Sequence, residues 1–537
     1  MVADGRGMTR RELLVGLGLG AGATLVVGAC TMPAPGAAPP KPPPGVPDPA
    51  PFVDGVMAGD PLPGATTIWT RVGTDGPADV GVLWTVADDP SFTSIRAGGV
   101  ATARAADDHC VTVRVEGLPA DAWLYYRFET TGGDGVPAAV SRTGRLRTAP
   151  AVGSSPDRLR FAFASCQQLN DSWFVAHRAV AAEPDLDFFL HLGDYVYVSD
   201  TGTLTLEDYR STYRRWHAEP MLRDLQATVP VVGMWDDGEF YNGIDRTGDP
   251  ARLAAAKRAY FDYFPVLDPG DLRLYRSLTW GDLADVPVID VRAYRDPAVD
   301  TIDYTSANAA YDPARTTLGA EQYAWLTGLL AASDARWRLV GSGYNIGPWK
   351  LVNLEFLRAF RPDLPPNAGI YAPNEAWDDY LRERRDLLQF LADHGVVDTA
   401  FVSGHTHTFL TTELRPDTDD PGSPTVAFDF CTGSLTADPD PRKAFLGDLP
   451  LDVAEGVVRL GEQFVMTQNS PYLRYMNLVE QGYTVVDVTP EEMVVTTRLV
   501  DTSRPDAVAR DGARFRVVPG SRRLEALPVP GASGTFG

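Results

Sequence analysis

The sequence lacks an excess of basic residues and, beyond its N-terminus, any long apolar run. Its 48 Lys and Arg stand against 71 Asp and Glu, so the formal net charge is −23. This charge repels a nucleic-acid backbone and no basic stripe offsets it, so we expect no binding to nucleic-acid duplexes. Beyond the N-terminus no apolar run reaches the roughly 18 residues of a membrane span. What is present, 537 residues with 44% hydrophobic content, predicts a globular chain of two or three domains.

The N-terminus predicts an export signal over residues 1–29. Arg10 and Arg11 precede an apolar stretch that ends in small residues before Cys30. The paired arginines resemble a twin-arginine signal, and the residues before Cys30 resemble a lipoprotein cleavage box. We therefore expect the twin-arginine export machinery to carry the folded chain, and a lipid anchor at Cys30 to hold it at the outer face of the cytoplasmic membrane. A plain signal peptide with a chance cysteine, and hence a secreted protein, is the alternative.

Residues 30–51 are so rich in proline and small residues that they predict an extended linker. Three cysteines follow, namely Cys110, Cys166 and Cys431, which is an odd number in an oxidising compartment. At least one of them is expected to be unpaired or bound to another group. A disulfide between Cys110 and Cys431 is left open.

Two patterns of secondary structure divide the rest of the chain. Residues 52–150 hold short strands such as VGVLWTVA and WLYYRFETT between turn residues, which predicts an N-terminal all-β sandwich of fibronectin/immunoglobulin-like type. Residues 157–520 alternate apolar strands with helices, which predicts an α/β domain whose functional side chains collect at the carboxyl ends of strands. Helices are predicted at SWFVAHRAVAAEP, DPARLAAAKRAYFDYF, GAEQYAWLTGLLAAS and EAWDDYLRERRDLLQFLADHG.

Several predicted strands of the second domain end at side chains that bind metals. These are Cys166, Asp194 with Tyr197 beyond it, Asp236 with Asp237, and His405 with His407. Thiolate, phenolate, imidazole and carboxylate together suit iron or zinc better than an all-oxygen magnesium site. Each residue alone is more often a small hydrophobe, a turn residue or a helix cap, but the shared pattern favours a metal site. His191, inside an apolar run, is expected to be a hydrogen-bonded core residue.

Two motifs among these residues, GDYVY at 193–197 and GHTH at 404–407, resemble those of the calcineurin-like metallophosphoesterases. Longer segments resemble the alkaline phosphatase D (PhoD) family, which is related to the purple acid phosphatases. They include FVDGVMAGDPLPGATTIWTRV, WDDGEFYNG and LYRSLTWGDLADVPVIDVRAYRD. The resemblance covers nearly the whole chain after the export signal. It implies a metallophosphoesterase catalytic domain over residues 157–520, with two β-sheets flanked by helices.

The resemblance also implies the site residues and the cofactors. Cys166, Asp194, Tyr197 and His407 would surround a ferric iron, and Asp194 would bridge it to a divalent metal (calcium, manganese or zinc) that Asp237 and His405 also hold. Arg292, Arg295 and Asn242 are the candidate catalytic residues. The two arginines suit contacts with a phosphate, because a guanidinium matches phosphate oxygens. Structural ion pairs with Asp290 or Asp296 are the alternative for these arginines.

The function implied is that of an exported metal-dependent phosphoesterase, an alkaline phosphatase or phosphodiesterase of PhoD type. It would hydrolyse phosphate esters by means of a metal-activated hydroxide. Two alternatives stand beside it. One is a phospholipase D-like phosphodiesterase that acts on membrane lipid head groups, and the other is a catalytically weakened metal-binding surface lipoprotein.

The chain departs from the family pattern at three positions. Gly238 stands where the family usually has the histidine of WDDHE, so a group that would contact substrate or protonate the leaving group is missing. Glu239 or His217 would have to replace it. Ser342 lies where the family tends to show Gly-Asn-Gln, and His405 stands where PhoD sequences usually have an aspartate. The identity and occupancy of the second metal site are therefore less well determined by the sequence than those of the first.

Overall fold

The computed structural model describes residues 48–133, 135–372, 375–420, 422–438 and 451–529. The predicted export signal, Cys30 and the predicted linker up to residue 47 lie outside the described residues. No helix within those five ranges combines the length and the apolar character that crossing a membrane requires.

The N-terminal region is built from strands. They are β1 (Val56–Leu62), β2 (Ala65–Arg71), β3 (Val80–Ala87), β4 (Ile95–Ala103), β5 (Cys110–Val115), β6 (Trp123–Gly133), β7 (Val136–Val140) and β8 (Gly144–Arg147). One antiparallel sheet has the order β1-β2-β5, and the other has the order β4-β3-β6-β7 with β8 paired to β6. Alternate residues of β6, such as Tyr126 and Phe128, share one buried core with Ile68 of the first sheet. The region is thus mostly β-sheet, while its fibronectin/immunoglobulin-like type stays a prediction.

The second region adds sixteen strands in chain order. They are β9 (Leu159–Ala164), β10 (Phe188–His191), β11 (Val231–Gly233), β12 (Arg276–Trp280), β13 (Ala284–Val288), β14 (Trp337–Tyr344), β15 (Lys350–Asn353), β16 (Gly369–Tyr371), β17 (Thr399–Gly404), β18 (Phe409–Leu414), β19 (Ala427–Cys431), β20 (Leu473–Asn477), β21 (Gln481–Val488), β22 (Met493–Val500), β23 (Arg510–Val517) and β24 (Glu525–Leu527). Apart from the β15-β16 hairpin they form two seven-stranded sheets, β11-β10-β9-β21-β22-β23-β24 and β12-β13-β14-β17-β19-β18-β20. Both sheets mix parallel and antiparallel pairs.

Seven α-helices lie among the described residues of this region. They are α1 (Val175–Ala182), α2 (Leu206–His217), α3 (Pro220–Thr228), α4 (Pro250–Tyr263), α5 (Gly319–Ala332), α6 (Leu381–Asp393) and α7 (Leu451–Gln468). Local sequence sets their starts. Thr205 and Asp208 form a capping box before α2, and Asp249 caps α4, whose first residue is proline. The four predicted helices correspond to α1, α4, α5 and α6.

The parallel strands of the two sheets place their carboxyl ends together. β9, β10 and β11 run parallel in the first sheet, and β14 and β17 run parallel in the second. A bridge between Ser165 and Ser434, and a hydrogen bond from the N–H of His405 to the Ser165 hydroxyl (3.2 Å), tie the two sheets at this edge. Loops from five strands therefore meet at one place, which is where functional groups gather in α/β folds.

The described cysteines carry free thiols. Cys110, Cys166 and Cys431 are all buried and unpaired, so the open question of a disulfide between Cys110 and Cys431 is answered in the negative. His191 is buried as expected, but neither ring nitrogen has a hydrogen-bond partner. It packs instead against the rings of Phe189 and Tyr195, and burial lowers its pKa to about 3, which keeps it neutral.

Candidate metal centre

One group of ligand atoms lies between the ends of β9, β10 and β17. Cys166, Asp194 and His407 are all buried, and their ligand atoms lie within 4.8 Å of one another. The Cys166 thiol is 3.3 Å from Asp194 Oδ2. The hydroxyl of Tyr197 lies 3.1 Å from the same oxygen and 3.2 Å from His407 Nε2. The four residues predicted around one metal therefore point into a single space.

A second group shares Asp194 with the first. It consists of Asp194, Asp236, Asp237 and His405. His405 Nδ1 lies 2.7 Å from Asp236 Oδ2, 3.7 Å from Asp237 Oδ1 and 3.9 Å from Asp194 Oδ2. Asp194 is the one residue common to both groups, in the position that a bridging carboxylate would occupy. Asp236 belongs to this group although the predicted ligand set named only Asp237.

The backbone at these positions adopts a sparsely populated conformation. Cys166, Asp194, His405 and His407 have φ values of 62°, 54°, 71° and 57°, in the left-handed region. A non-glycine residue there stores strain, and such residues cluster at functional sites where the surrounding structure imposes them. The strained positions lie at the turns that direct these four side chains towards one another.

Two glycines let the loops approach. Gly193 has φ +95°, and a Cβ at this position would lie 2.5 Å from the backbone nitrogen of Asp236. A Cβ at Gly238 would lie 2.6 Å from the carbonyl oxygen of Val196 and 2.7 Å from Asp194 Oδ1. The N–H of Gly238 donates to that same carboxylate oxygen at 2.8 Å. The family histidine is absent from position 238 in a loop that leaves no space for a side chain.

Glu239 joins the two ligand loops. Its buried carboxylate accepts hydrogen bonds from the N–H groups of Asp194 (3.0 Å), Tyr195 (2.6 Å) and Asp236 (2.8 Å). Burial next to Asp194 raises the pKa of Glu239, while the three donors favour its charged form. Both carboxylate oxygens of Glu239 are engaged in these hydrogen bonds, so Glu239 positions the loops. It therefore offers no free carboxyl group that could replace the missing histidine.

The two candidate arginines are buried in ion pairs. Arg292 donates to both oxygens of Asp236 at 2.6 and 2.9 Å and lies 3.1 Å from His405 Nδ1. Arg295 donates to Glu375 Oε2 at 2.9 Å. Their acidic partners are thus Asp236 and Glu375, not the Asp290 or Asp296 named from the sequence. Arg292 borders the second group of ligands, so a contact with a bound phosphate stays a prediction for it.

Three other residues named from the sequence lie away from both groups. Asn242 is exposed, and its amide donates to Asp200 at 3.2 Å. Ser342 is buried in β14, where its hydroxyl donates to the carbonyl of Tyr344. His217 is buried against Trp69 and the hydroxyl of Tyr195. None of the three belongs to either group of ligand atoms.

The charges of the centre suit a bound cation. Burial, together with the carboxylates of Asp237 and Asp236, raises the pKa of Asp194 to about 8. Burial lowers the pKa of His405, but Asp236 and Asp237 outweigh it and raise that pKa to about 9. Asp194 and His405 thus hold protons in place of a bound positive charge. A thiolate, a phenolate, imidazoles and carboxylates are also the donors that iron and zinc accept, so the residues present fit such metals.

Sequence reasoning missed two members of this region. The sequence places Asp236 at a strand end, but the ligand set that the resemblance implies includes only the adjacent Asp237. Glu375 had no signal of a role at the site, because it is simply the first residue of the predicted helix EAWDDYLRERRDLLQFLADHG and reaches Arg292 and Arg295 only through the fold. Burial beside these arginines leaves its pKa lowered to about 2, since their charges outweigh desolvation.

Known proteins share this sequence and this fold. Residues 161–497 match the PhoD-like phosphatase family, and residues 38–150 match the PhoD-like phosphatase N-terminal domain. Alkaline phosphatase D of Bacillus subtilis (strain 168) is 28% identical over 524 residues, which cover 90% of this chain and 84% of that protein. A solved structure of PhoD is 28% identical, has a TM-score of 0.78, and is matched over 90% of this chain and 93% of its own. On these similarities, which extend over most of its length, the chain belongs to the PhoD-like phosphatase family.

Proposed function

We propose that this chain is an exported phosphoesterase that depends on two metal ions. Its family makes it a phosphatase acting on phosphoester bonds. The observation that carries the metal dependence is the meeting of Cys166, Asp194, Tyr197 and His407 with a second group of ligands through the shared Asp194. The enclosing catalytic region would be a metallophosphoesterase domain, and the N-terminal strands a fibronectin/immunoglobulin-like sandwich.

The ligand sets favour different metals at the two positions. Cys166 and Tyr197 offer a thiolate and a phenolate, which are strong anionic donors, so we assign ferric iron to their group. Asp236, Asp237 and His405 offer oxygen and nitrogen donors and suit a divalent ion such as calcium, manganese or zinc. When bound, the two ions supply Lewis acidity that makes water a nucleophile and bears the charge of the phosphoryl oxygens.

The side chains around the centre have their own tasks in the proposed reaction. Asp194 holds the two ligand groups at a fixed separation, and Glu239 holds the loop that carries it. Arg292 keeps Asp236 ionised, because its guanidinium outweighs the cost of burial and lowers the pKa of that carboxyl. Its positive charge beside the second group of ligands would favour an anionic substrate.

Metal analysis and hydrolysis assays test the proposed function together. We expect protein purified after export to contain iron and to hydrolyse a phosphate monoester, a phosphate diester or both. Cys166→Ala should lose iron and activity, whereas Cys110→Ala, which removes another buried free thiol outside the centre, should retain both. Equal activity in the two variants, or no turnover of either substrate with any added metal, would refute the proposal.

Export is the remaining part of the proposal. The twin arginines at Arg10 and Arg11 and the small residues before Cys30 support a route that carries folded chains, with a lipid anchor after cleavage. The enzyme would then act at the outer face of the cytoplasmic membrane. Replacing both arginines by lysine should keep the protein in the cytoplasm, and labelling with radioactive palmitate should depend on Cys30.

A further inference from the structure

Most of the exposed positions of α7 between residues 453 and 468 are apolar or uncharged, while Glu455 and Arg459 lie half-buried beside them. Between residues 453 and 468 its exposed positions are Val453, Gly456, Leu460, Gln463, Phe464 and Thr467. Leu460 is 66% exposed and Phe464 is 53% exposed, while Ala454, Val458 and Val465 of the same helix are buried. A helix packed on a domain normally presents charged and polar residues to water. This one presents apolar side chains on both sides.

A neighbouring turn adds two exposed aromatic side chains. Asn353 donates its N–H to the side chain of Gln468, the last residue of α7, at 3.1 Å. Directly after Asn353 comes the 3₁₀ turn Glu355–Ala359, with Phe356 67% exposed and Phe360 80% exposed. We call the set of Val453, Leu460, Phe464, Phe356 and Phe360 the phenylalanine surface. Every phenylalanine that is exposed within the described residues belongs to it.

Three arginines next to the phenylalanine surface pair with carboxylates. Arg358 pairs with Glu355, Arg361 with Asp363, and Arg459 with Glu462. The arginines offset their carboxylates locally, in a chain whose net charge is −23. An anionic lipid surface repels an acidic face but not a neutral one, and exposed apolar patches of this kind mark places of interaction.

The length of the predicted linker explains why a second contact with the membrane, in addition to an anchor at Cys30, would be useful. Residues 31–47 would reach roughly 50 Å if extended, which is more than the roughly 23 Å radius of gyration of a folded body of about 500 residues. An anchor at Cys30 would therefore keep the folded part near the membrane without fixing which face meets it. Phenylalanine and leucine side chains enter the interfacial layer of a bilayer readily, and stable attachment commonly combines two such signals.

We infer that the phenylalanine surface rests on membrane lipid and sets the orientation of the anchored enzyme. This inference goes beyond the proposed phosphoesterase function, because it concerns α7 and the turn after β15 and involves no residue of the metal centre. It commits to lipid as the occupant. A second copy of the chain is the competing occupant that the test below separates.

The test uses the full chain on vesicles of phosphatidylethanolamine and phosphatidylglycerol. Phe464→Cys carries an environment-sensitive fluorophore, and Val152→Cys, at a valine that is 78% exposed between β8 and β9, carries it as the matched control. Cys110, Cys166 and Cys431 are buried and should not react, and the unmodified chain labelled in parallel accounts for Cys30. A quencher attached to the lipid acyl chains should quench the label at position 464 and leave the label at position 152 unaffected.

A second substitution sharpens the test. Adding Leu460→Ser and Phe356→Ser to the Phe464→Cys chain should reduce the quenching, whereas adding Val100→Ser, at an exposed valine of β4, should not. Equal quenching at positions 464 and 152, or none at either, would overturn the inference. A change in emission at position 464 that needs no vesicles and grows with protein concentration would assign the surface to a second copy of the chain, which also overturns it.

Discussion

At the scale of single residues, Gly238 shows how the metal centre depends on the absence of a side chain. The loop that carries it passes against Val196 and Asp194, and its N–H donates to the Asp194 carboxylate. From the sequence alone, glycine in place of the family histidine looked like a lost catalytic group. In the structure, glycine at position 238 allows two backbone segments to approach each other closely.

We expect Gly238→Ala to displace Asp194, because the new Cβ would lie within 2.7 Å of its carboxylate oxygen. Moving a group that orients metal ligands costs about 10–100-fold in metal affinity. Gly238→His, which restores the family residue, should lose metal as well and gain no activity. Gly328→Ala in α5 is the control, since a Cβ there meets no atom within 4 Å and alanine favours a helix. Unchanged iron content in Gly238→Ala would contradict this account.

Asp429 gives a prediction on pH at the same scale. It lies in β19, where it accepts hydrogen bonds from the N–H groups of Ile346 and Gly347 and from the Ser403 hydroxyl. Burial outweighs these bonds and raises its pKa from 3.8 to about 6. The folded state therefore holds this proton more tightly than the unfolded state does. Its contribution to the free energy of unfolding is greatest below pH 4 and is lost as the pH rises to 6.

Asp429→Asn removes this dependence while keeping the shape of the side chain. Two pKa units correspond to about 3 kcal/mol, so the stability of the variant relative to the unmodified protein should be on the order of 3 kcal/mol more favourable at pH 7 than at pH 4. Urea unfolding at both pH values, in the presence of a chelator, measures the difference. Asp420→Asn, at an exposed carboxylate, should show no such change. A difference that is independent of pH would exclude the buried charge as its cause.

At the scale of elements, the metal centre lies where the ends of neighbouring strands come together, and the Glu239 carboxylate bonds to two of the loops that follow them. β10 delivers Asp194, β11 delivers Asp236, and Glu239 accepts the N–H groups of both residues. Beyond the strand ends the two loops are also joined by the hydrogen bonds from Gly238 to Asp194 and from Val198 to Gly238, and Glu239 adds a carboxylate that bonds to both loops at once. Glu239 is in this sense a positioning residue.

Glu239→Gln should loosen the two loops, because an amide keeps one acceptor oxygen and turns an NH₂ group towards backbone donors. We expect metal affinity to fall about 10–100-fold. The visible absorption that a phenolate gives when it binds ferric iron should weaken in parallel at a given iron concentration. Glu462→Gln replaces another buried carboxylate that accepts a backbone N–H, from Leu478, and should leave both quantities unchanged. Loss of activity with normal affinity and colour would instead give Glu239 a direct role in the reaction.

Sequence patterns could predict the strand ends but not all of the elements. Parallel strands place their carboxyl ends at one edge, so the polar residues after β9, β10, β11 and β17 could be grouped in advance. Three helices, α2, α3 and α7, were not predicted. α2 buries Arg210 and Thr212, which interrupt its apolar stripe, and α3 has only nine residues. α7 exposes Leu460 and Phe464 and buries Glu462, so its polar and apolar residues do not follow the expected faces.

The contacts within the site were likewise predictable only in part from the sequence. Arg292 and Arg295 could be selected from the sequence, but their partners could not, because Asp236 and Glu375 lie 56 and 80 positions away along the chain. Such pairs depend on how the two sheets pack. Local spacing carries no information about that packing.

At the scale of the whole molecule, the N-terminal strands and the catalytic region share buried contacts. Met57, Trp69 and Cys110 belong to the same buried cluster as the core of the first seven-stranded sheet. The Trp69 ring nitrogen donates to the carbonyl of Asp262 at 2.8 Å. Asp108, just before β5, pairs with Arg71 of β2 and with Arg214 of α2, so one carboxylate joins both regions.

Asp108→Asn should weaken this junction by about 3 kcal/mol, because it removes one partner from a largely buried set of charges. Asparagine is the substitution of choice, since φ at this position is 51° and asparagine tolerates that conformation. Asp107→Asn is the control, because Asp107 pairs with Arg258 in a more exposed position, where ion pairs contribute about 0–1 kcal/mol. Urea unfolding should show one shifted transition. Two separate transitions would mean that the regions unfold independently.

The three free thiols have a consequence for how the protein is made. No cross-link between cysteines occurs among the described residues, and Cys110, Cys166 and Cys431 are enclosed by the fold. Burial raises the pKa of each thiol, so without a bound metal none is held as the reactive thiolate. Folding thus requires no oxidant and no disulfide isomerase. The chain can therefore fold in a reducing cytosol, and its transfer to an oxidising compartment should add no cross-link among these three cysteines.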